Sequence, residues 1–225
     1  MSDLAELRAV YLSNTNGEQS RFHIWERGEP VGDSVTPSTY SGSYRIWMRD
    51  VLRKFLDESG SESPGLISVG CGNAAVEAGL VTAGYRVAGV DAMEEAISLA
   101  RQKGVEVECA DVFKWTPPPG NWRVVYADGF LGHVFDPDQG LQPVLERMRS
   151  WLPPGNGALV ISNDDPRTDA DTQPHAEVPA FTWLSGQYLK AQAEKAGFKD
   201  VWSTWFTYER PISGPRERVI VTARS

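Results

Sequence analysis

The sequence predicts an α/β fold, a doubly wound and mostly parallel sheet with helices on both faces and an antiparallel hairpin at its C-terminal edge. Three observations carry that expectation. From Leu66 onward short apolar strands alternate with helical stretches, the order that builds parallel strands joined by crossover helices. The first strand runs directly into a glycine turn, "LISVGCGNA". The last two strands, "KDVWSTWFTYE" and "RERVIVTARS", are separated only by "RPISGP", which is too short for a crossover and forces an antiparallel pair.

The elements follow in order. Residues 1–42 read as an N-terminal cap segment, because 1–40 are polar and turn-rich, with "SNTNGEQS" and "ERGEPVGDSVTPS"; a flexible or loosely packed cover is expected. The main domain is placed at 43–225. In residues 43–58, Ile46, Trp47, Val51, Leu52, Phe55 and Leu56 recur at three-to-four spacing, the apolar face of a helix, which "SGSESPG" ends. "GLISVG" is a strand, 74–83 a helix stopped by Gly84, and "RVAGVD" the second strand. "MEEAISLARQKG" has acids first, bases last and glycine after, as the helix dipole favours. "VEVECAD" and "WRVVYADG" are strands on either side of the breaker "TPPPGN", and "LQPVLERMRSWLPPG" is a helix ending at prolines. "GALVISN" is a strand and "LSGQYLKAQAEKAGF" a helix, with an insertion at about 163–184 between them that is expected to face the substrate.

Composition narrows the function. A chain of 225 residues with 41 % apolar residues can bury a sizeable core. A formal net charge of −8 argues against gripping phosphate backbones, so no nucleic-acid partner is expected. It suits a small neutral or cationic partner. Cys71 and Cys109 are too few for a disulfide framework and show no zinc spacing, so no metal is expected and a reducing, cytoplasmic compartment is natural. No apolar run has membrane-spanning length, and "MSDLAELRAV" lacks the order of a secretory signal. Nothing in the pattern sets an oligomeric state.

Ligands of such sheets lie beyond the carboxyl ends of the strands. Gly70 can make the tight turn there, and Gly72, without a Cβ, leaves room for ligand atoms. The amides around Asn73 are expected to open a helix whose positive end favours an anion. Asp91 ends the second strand, where an acid either accepts two ribose hydroxyls or caps the next helix. Asp111 ends the third, where it either recognises an amino-purine edge or merely orders a loop. "GCGNAA" also fits the dinucleotide pattern G-x-G-x-x-A, but no Tyr-x-x-x-Lys and no separate substrate domain accompany it.

In the order and spacing of "LISVGCGNA", "VAGVDAMEEAISLAR", "CADVFKW", "VVYADGFLGHVFDPDQ", "LPPGNGALVIS" and the closing hairpin, residues 43–225 resemble the class I S-adenosylmethionine-dependent methyltransferases of small-molecule type. The resemblance implies a Rossmann-like sheet of seven strands, the seventh inserted antiparallel. It implies that Gly70, Cys71 and Gly72 approach the methionine part of S-adenosyl-L-methionine, and that S-adenosyl-L-homocysteine is the product. Asp91 would hold the ribose, Ala92 and Met93 the adenine face, Asp111 the adenine amino group and the Val112 amide a ring nitrogen. Asp128 would meet the methionine end or the substrate. Two departures stand out. Ser68 occupies a place usually held by Asp or Glu, and Ala74 one often held by a third glycine. An anionic anchor for the cofactor's ammonium is missing at Ser68; Asp128 is a candidate to compensate.

Methyl transfer from a sulfonium needs alignment and exclusion of water, and a base where the acceptor must lose a proton. His133, after the fourth strand, is the candidate base or a structural histidine that orders the turn. His175 in the insertion is a second candidate for the substrate side, and His23 in the cap carries little weight. The acids Asp164, Asp165, Asp169, Asp171 and Glu177 form either an acidic mouth for an amine or a solvated loop. Tyr40, Tyr44 and Trp47 either cover the cofactor and stack on a flat acceptor or belong to the core. Trp183, Trp202 and Trp205 either line a pocket or pack beneath the sheet. "ADGF" stands where a DNA-base amino methyltransferase carries Asn-Pro-Pro-Tyr. The expectation is a methyltransferase acting on nitrogen or oxygen of a small-molecule acceptor in specialised metabolism. The alternatives are a protein or peptide methyltransferase, or a non-catalytic nucleotide- or NAD-binding module.

Overall fold

The computed structural model describes residues 4–12, 20–176, 178 and 181–225. Its centre is a seven-stranded sheet formed by β1 (Gly65–Val69), β2 (Arg86–Asp91), β3 (Glu106–Cys109), β4 (Trp122–Asp128), β5 (Ala158–Asp164), β8 (Lys199–Arg210) and β9 (Gly214–Arg224). The strand order is β3-β2-β1-β4-β5-β9-β8. Strands β1 to β5 pair in parallel, and β9 lies antiparallel between β5 and β8. The order reverses between β1 and β4, the topological switch at which such sheets bind ligands. A second, two-stranded sheet pairs β6 (Thr172–Pro174) with β7 (Thr182–Leu184) inside the segment expected as an insertion.

Period-two alternation distributes β1 between two cores. Ile67 and Val69 pack with α7 (Gln142–Ser150) and α8 (Gly186–Lys195) through Leu145, Met148 and Leu189. Leu66 faces the other way, toward α4 (Gly42–Glu58) and α5 (Glu77–Thr82). The helix α4 buries Tyr44, Met48, Leu52 and Leu56, a strict four-residue stripe. The sequence expectation was rotated about this axis: Ile46 is exposed, and the polar-headed Tyr44 takes a core place because its hydroxyl finds partners below the sheet edge. Full burial of Leu52 and Leu56 is worth about 1.5–3 kcal/mol each.

Two further expectations change. The helix after the glycine turn begins at Glu77, three residues later than expected, because Ala74 adopts φ +54° and interrupts the helical path. No helix therefore opens at Asn73. The cap is also better packed than its polar composition suggests. In it α1 (Leu4–Leu12), α2 (Arg21–Glu26) and α3 (Pro37–Tyr40) precede α4. Leu7, Phe22 and Trp25 are buried against Met93 and against Ala96 and Leu99 of α6 (Glu94–Gln102). Cys71 and Cys109 are unpaired thiols. Among the described residues no helix is long and apolar enough to cross a membrane, and no cluster of His, Cys, Asp or Glu could hold a metal ion.

Candidate active site

A cavity of about 290 Å³ runs along the carboxyl edge of the sheet beneath the cap. The strand ends beneath it bring Gly70, Cys71, Gly72, Asp91, Ala92, Met93, Asp111, Val112 and Asp128 together in its wall, with His133 and His175. Leu7, Tyr11, Phe22, Trp25, Val35 and Thr39 of the cap roof it, and Val178 and Phe181 of the insertion close one side. Glu177 lies outside the described residues.

The two glycines differ in what approaches them. Gly70 has φ +63°, and a Cβ there would strike the Phe130 ring of the loop after β4. The tight approach at Gly70 is therefore made by the protein itself. Gly72 has φ +53° and open space where its Cβ would be, so this is the bare stretch of backbone that faces the cavity. Asp91 holds the turn in shape: its carboxylate accepts from the amides of Gly72 (2.8 Å) and Met93 (2.9 Å). Burial pushes its carboxyl above the usual range against the pull of these amides. Asp111 accepts from the Phe113 amide at 3.0 Å. Burial likewise pushes the Cys71 thiol well up, which keeps it neutral.

Asp128 and Glu77 are the instructive pair. Asp128 accepts from Tyr44 (3.2 Å), Tyr126 (3.1 Å), Ser162 and Arg218; its charge is already paired with a guanidinium. Glu77, which the sequence reading passed over, also lines the cavity and is only 3 % exposed. It accepts from Ser68 Oγ at 2.5 Å, and no described cation pairs with it. Burial pushes its carboxyl up to about 7, opposed by the Ser68 hydroxyl and the nearby amides of Glu77 and Val76. A buried carboxylate without a cation is costly. A buried carboxyl thus stands on α5 beside position 68, and Ser68, which is not in the cavity wall, hydrogen-bonds it. Asp128, also in the wall, already pairs with Arg218.

His133 lies on the short 3₁₀ turn Leu131–His133, facing the cavity. Its Nε2 shares a hydrogen bond of 2.8 Å with the Tyr11 hydroxyl from the cap, and its ring meets Phe181 edge-on at 4.6 Å. Burial keeps the Tyr11 phenol protonated well beyond its usual range. His175 packs beside Trp183 at 4.7 Å between centroids.

Three residues expected at the substrate fall outside the wall. Tyr40 ends α3 and is only half-buried. Tyr44 is fully buried one layer down, orienting Asp128. Trp47 packs on Phe206 of β8 at 5.3 Å. Of the acids read as either a mouth or a solvated loop, Asp164 is enclosed by arginines, Asp165 accepts from Trp205 and the Gly186 amide, and Asp171 accepts from Ser185. Arg167 and Arg216 lie over the Trp183 ring at 5.4 and 4.6 Å, whereas Trp202 is 71 % exposed on the edge strand.

Comparison with known proteins accords with this arrangement. Residues 44–203 match a family described as "Methyltransferase domain". The chain is 40 % identical over 228 residues to a tabtoxin biosynthesis enzyme of Pseudomonas amygdali pv. tabaci, covering 99 % of this chain and 89 % of that protein. Magnesium protoporphyrin IX methyltransferase of Synechocystis, solved with bound S-adenosylmethionine, has a similar structure: TM-score 0.60, 18 % identity, 99 % of this chain and 96 % of that one. Phosphoethanolamine N-methyltransferase 2 of Haemonchus contortus, in complex with S-adenosylmethionine, gives TM-score 0.70 at 12 % identity, covering 100 % of this chain and 60 % of that one.

Proposed function

The chain belongs to the class I S-adenosylmethionine-dependent methyltransferases, and on that premise we propose that it transfers a methyl group to nitrogen or oxygen of a small-molecule acceptor in specialised metabolism. The cofactor is S-adenosyl-L-methionine. The observation that carries the small-molecule reading is the size of the cavity beneath the cap and the insertion. Its volume is about 290 Å³, at the lower end of small-molecule sites. The relative named for tabtoxin biosynthesis supports a role in specialised metabolism.

The residues present fit the cofactor. Glu77 is an anionic group awaiting a cation, and it would hold the ammonium of the methionine part. The open face of Gly72 would admit the backbone of that part. Asp91 and Asp111 retain acceptor capacity for ribose hydroxyls and an adenine amino group, with Ala92, Met93 and the Val112 amide beside them. When bound, S-adenosylmethionine supplies an activated methyl group and leaves as S-adenosylhomocysteine.

The chain's own part is alignment, dryness and proton management. The aromatic roof of Phe22 and Trp25 excludes water. His133 takes the acceptor's proton, and the Tyr11 hydroxyl on Nε2 fixes its ring. The first test is calorimetric titration with S-adenosylmethionine, S-adenosylhomocysteine and NAD. Binding of the first two without NAD is expected. Transfer of labelled methyl to peptides but to no small acceptor would overturn the small-molecule reading.

A further inference from the structure

We propose that Arg210 and Arg218 form a carboxylate-binding wall, and that the acceptor is therefore a small organic acid; this rests on the cavity being a methyltransferase site. The cavity has two ends. Asp91 and Asp111 mark the β2 and β3 end. Beyond β4 the wall is made by Asp164 of β5, Arg218 of β9 and Arg210 at the end of β8. A cofactor held by the first end leaves the second for the acceptor.

Charge at that second end is dense: Arg210, Arg216 and Arg218 stand against Asp33, Asp128 and Asp164. Arg210, Arg216 and Arg218 all converge on Asp164. Arg218 is shared with Asp128, and Arg210 reaches Asp33 only at 3.9 Å. The Asp33 carboxylate is also occupied by the amides of Ile212 and Ser213. Tyr208, Tyr44 and Tyr126, which also face the cluster, are held protonated by burial. Burial pulls the Arg216 guanidinium below its ordinary value against the pull of Asp164, whereas, against burial, Asp164 holds Arg210 up and Asp128 and Asp164 hold Arg218 up.

Donor geometry is what favours a carboxylate there. A guanidinium has five N–H groups. Arg218 uses Nε on Asp128 and Ser162, one N–H of Nη1 on Asp164 and one of Nη2 on Asp128. Arg210 uses Nε on Tyr208 and Nη2 on Asp164, while Nη1 has only a 3.5 Å contact with the Asp33 carbonyl. Both side chains are under 10 % exposed, 8 % and 6 %, yet border the cavity. Gly129, at φ +70°, leaves room for Arg218: a Cβ there would lie 2.7 Å from Nη2. Paired N–H donors of this kind match the two oxygens of a carboxylate.

The cofactor also carries a carboxylate, so the test separates the two sources. The protein saturated with S-adenosylhomocysteine is titrated with succinate, succinamide and butane-1,4-diamine. Succinate is expected to bind at least ten-fold more tightly than either of the others. Arg210→Gln, and Arg210→Lys as the variant that keeps the charge beside Asp164, should each lose at least ten-fold in succinate affinity while affinity for S-adenosylhomocysteine stays within two-fold. Succinate binding no better than succinamide overturns the proposal. So does a parallel loss of S-adenosylhomocysteine affinity in the Arg210 variants, which would give the arginines to the cofactor. Failure of S-adenosylhomocysteine to bind the unaltered protein would instead overturn the methyltransferase site itself.

Discussion

Ser68 Oγ donates to Glu77 Oε1 at 2.5 Å, joining the end of the first strand to the start of the helix that follows the glycine turn. The contact relocates a negative charge from strand to helix while leaving it at the cavity wall. Glu77→Gln should weaken S-adenosylhomocysteine binding at pH 8 by at least ten-fold. The same change should stabilise the ligand-free protein. The Glu77 carboxyl, raised from 4.5 to about 7, costs nothing below pH 4.5, costs progressively more up to pH 7, and carries its full penalty above, about 3 kcal/mol. Ligand-free melting temperature should therefore fall across that window less in the glutamine variant. Cofactor affinity of the unaltered protein should rise from pH 6 to pH 8, since an ammonium binds the ionised form. A flat affinity profile would remove Glu77 from the ammonium site.

Asp91→Ala should weaken cofactor binding by roughly 2–3 kcal/mol if both ribose hydrogen bonds are charge-assisted. Because Asp91 also holds the amides of Gly72 and Met93, melting is measured alongside. Unchanged affinity would take Asp91 out of the site.

The glycines should separate. Gly70→Ala forces a left-handed alanine into Phe130 and should cost about 2–4 kcal/mol of stability. Gly72→Ala meets only the backbone penalty, about 1–2 kcal/mol, and should act chiefly on cofactor affinity. Equal melting temperatures for the two variants would contradict the asymmetry.

With the first acceptor identified by the titrations, His133→Ala should lower turnover about 10²-fold and leave cofactor affinity within two-fold. Tyr11→Phe keeps the stack on Phe22 at 5.4 Å but removes the hydrogen bond to Nε2. It should shift the pH–rate profile with a smaller loss in rate. Full activity of the His133 variant would show that alignment alone suffices.

Much of the frame was legible because it is repetitive. Alternating strands and helices, and a hairpin too tight for a crossover, are local patterns. The strand-end acids at 91, 111 and 128 follow from the same frame. What stayed hidden depends on contacts between distant segments. Glu77 looks like any helical glutamate until Ser68 is brought beneath it. Arg210, Arg216 and Arg218 look like the polar face of an edge hairpin until register sets Arg218 opposite Asp164. In the cap, three apolar side chains dispersed among polar residues find one shared surface on α6, and no periodicity announces that.

The cap is fastened at two edges. Glu26 joins Asn73 of the glycine turn and Lys103 after α6 at 2.7 and 2.6 Å. Asp33 holds the hairpin tip through the amides of Ile212 and Ser213, both at 3.0 Å. One clasp lies at the glycine turn and the other at the hairpin tip beside the arginines. Release of product from each end of the cavity is then expected to depend on a different clasp. Glu26→Ala should shorten the dwell time of S-adenosylhomocysteine, read as a faster release rate in stopped-flow displacement, while Asp33 continues to hold the other edge.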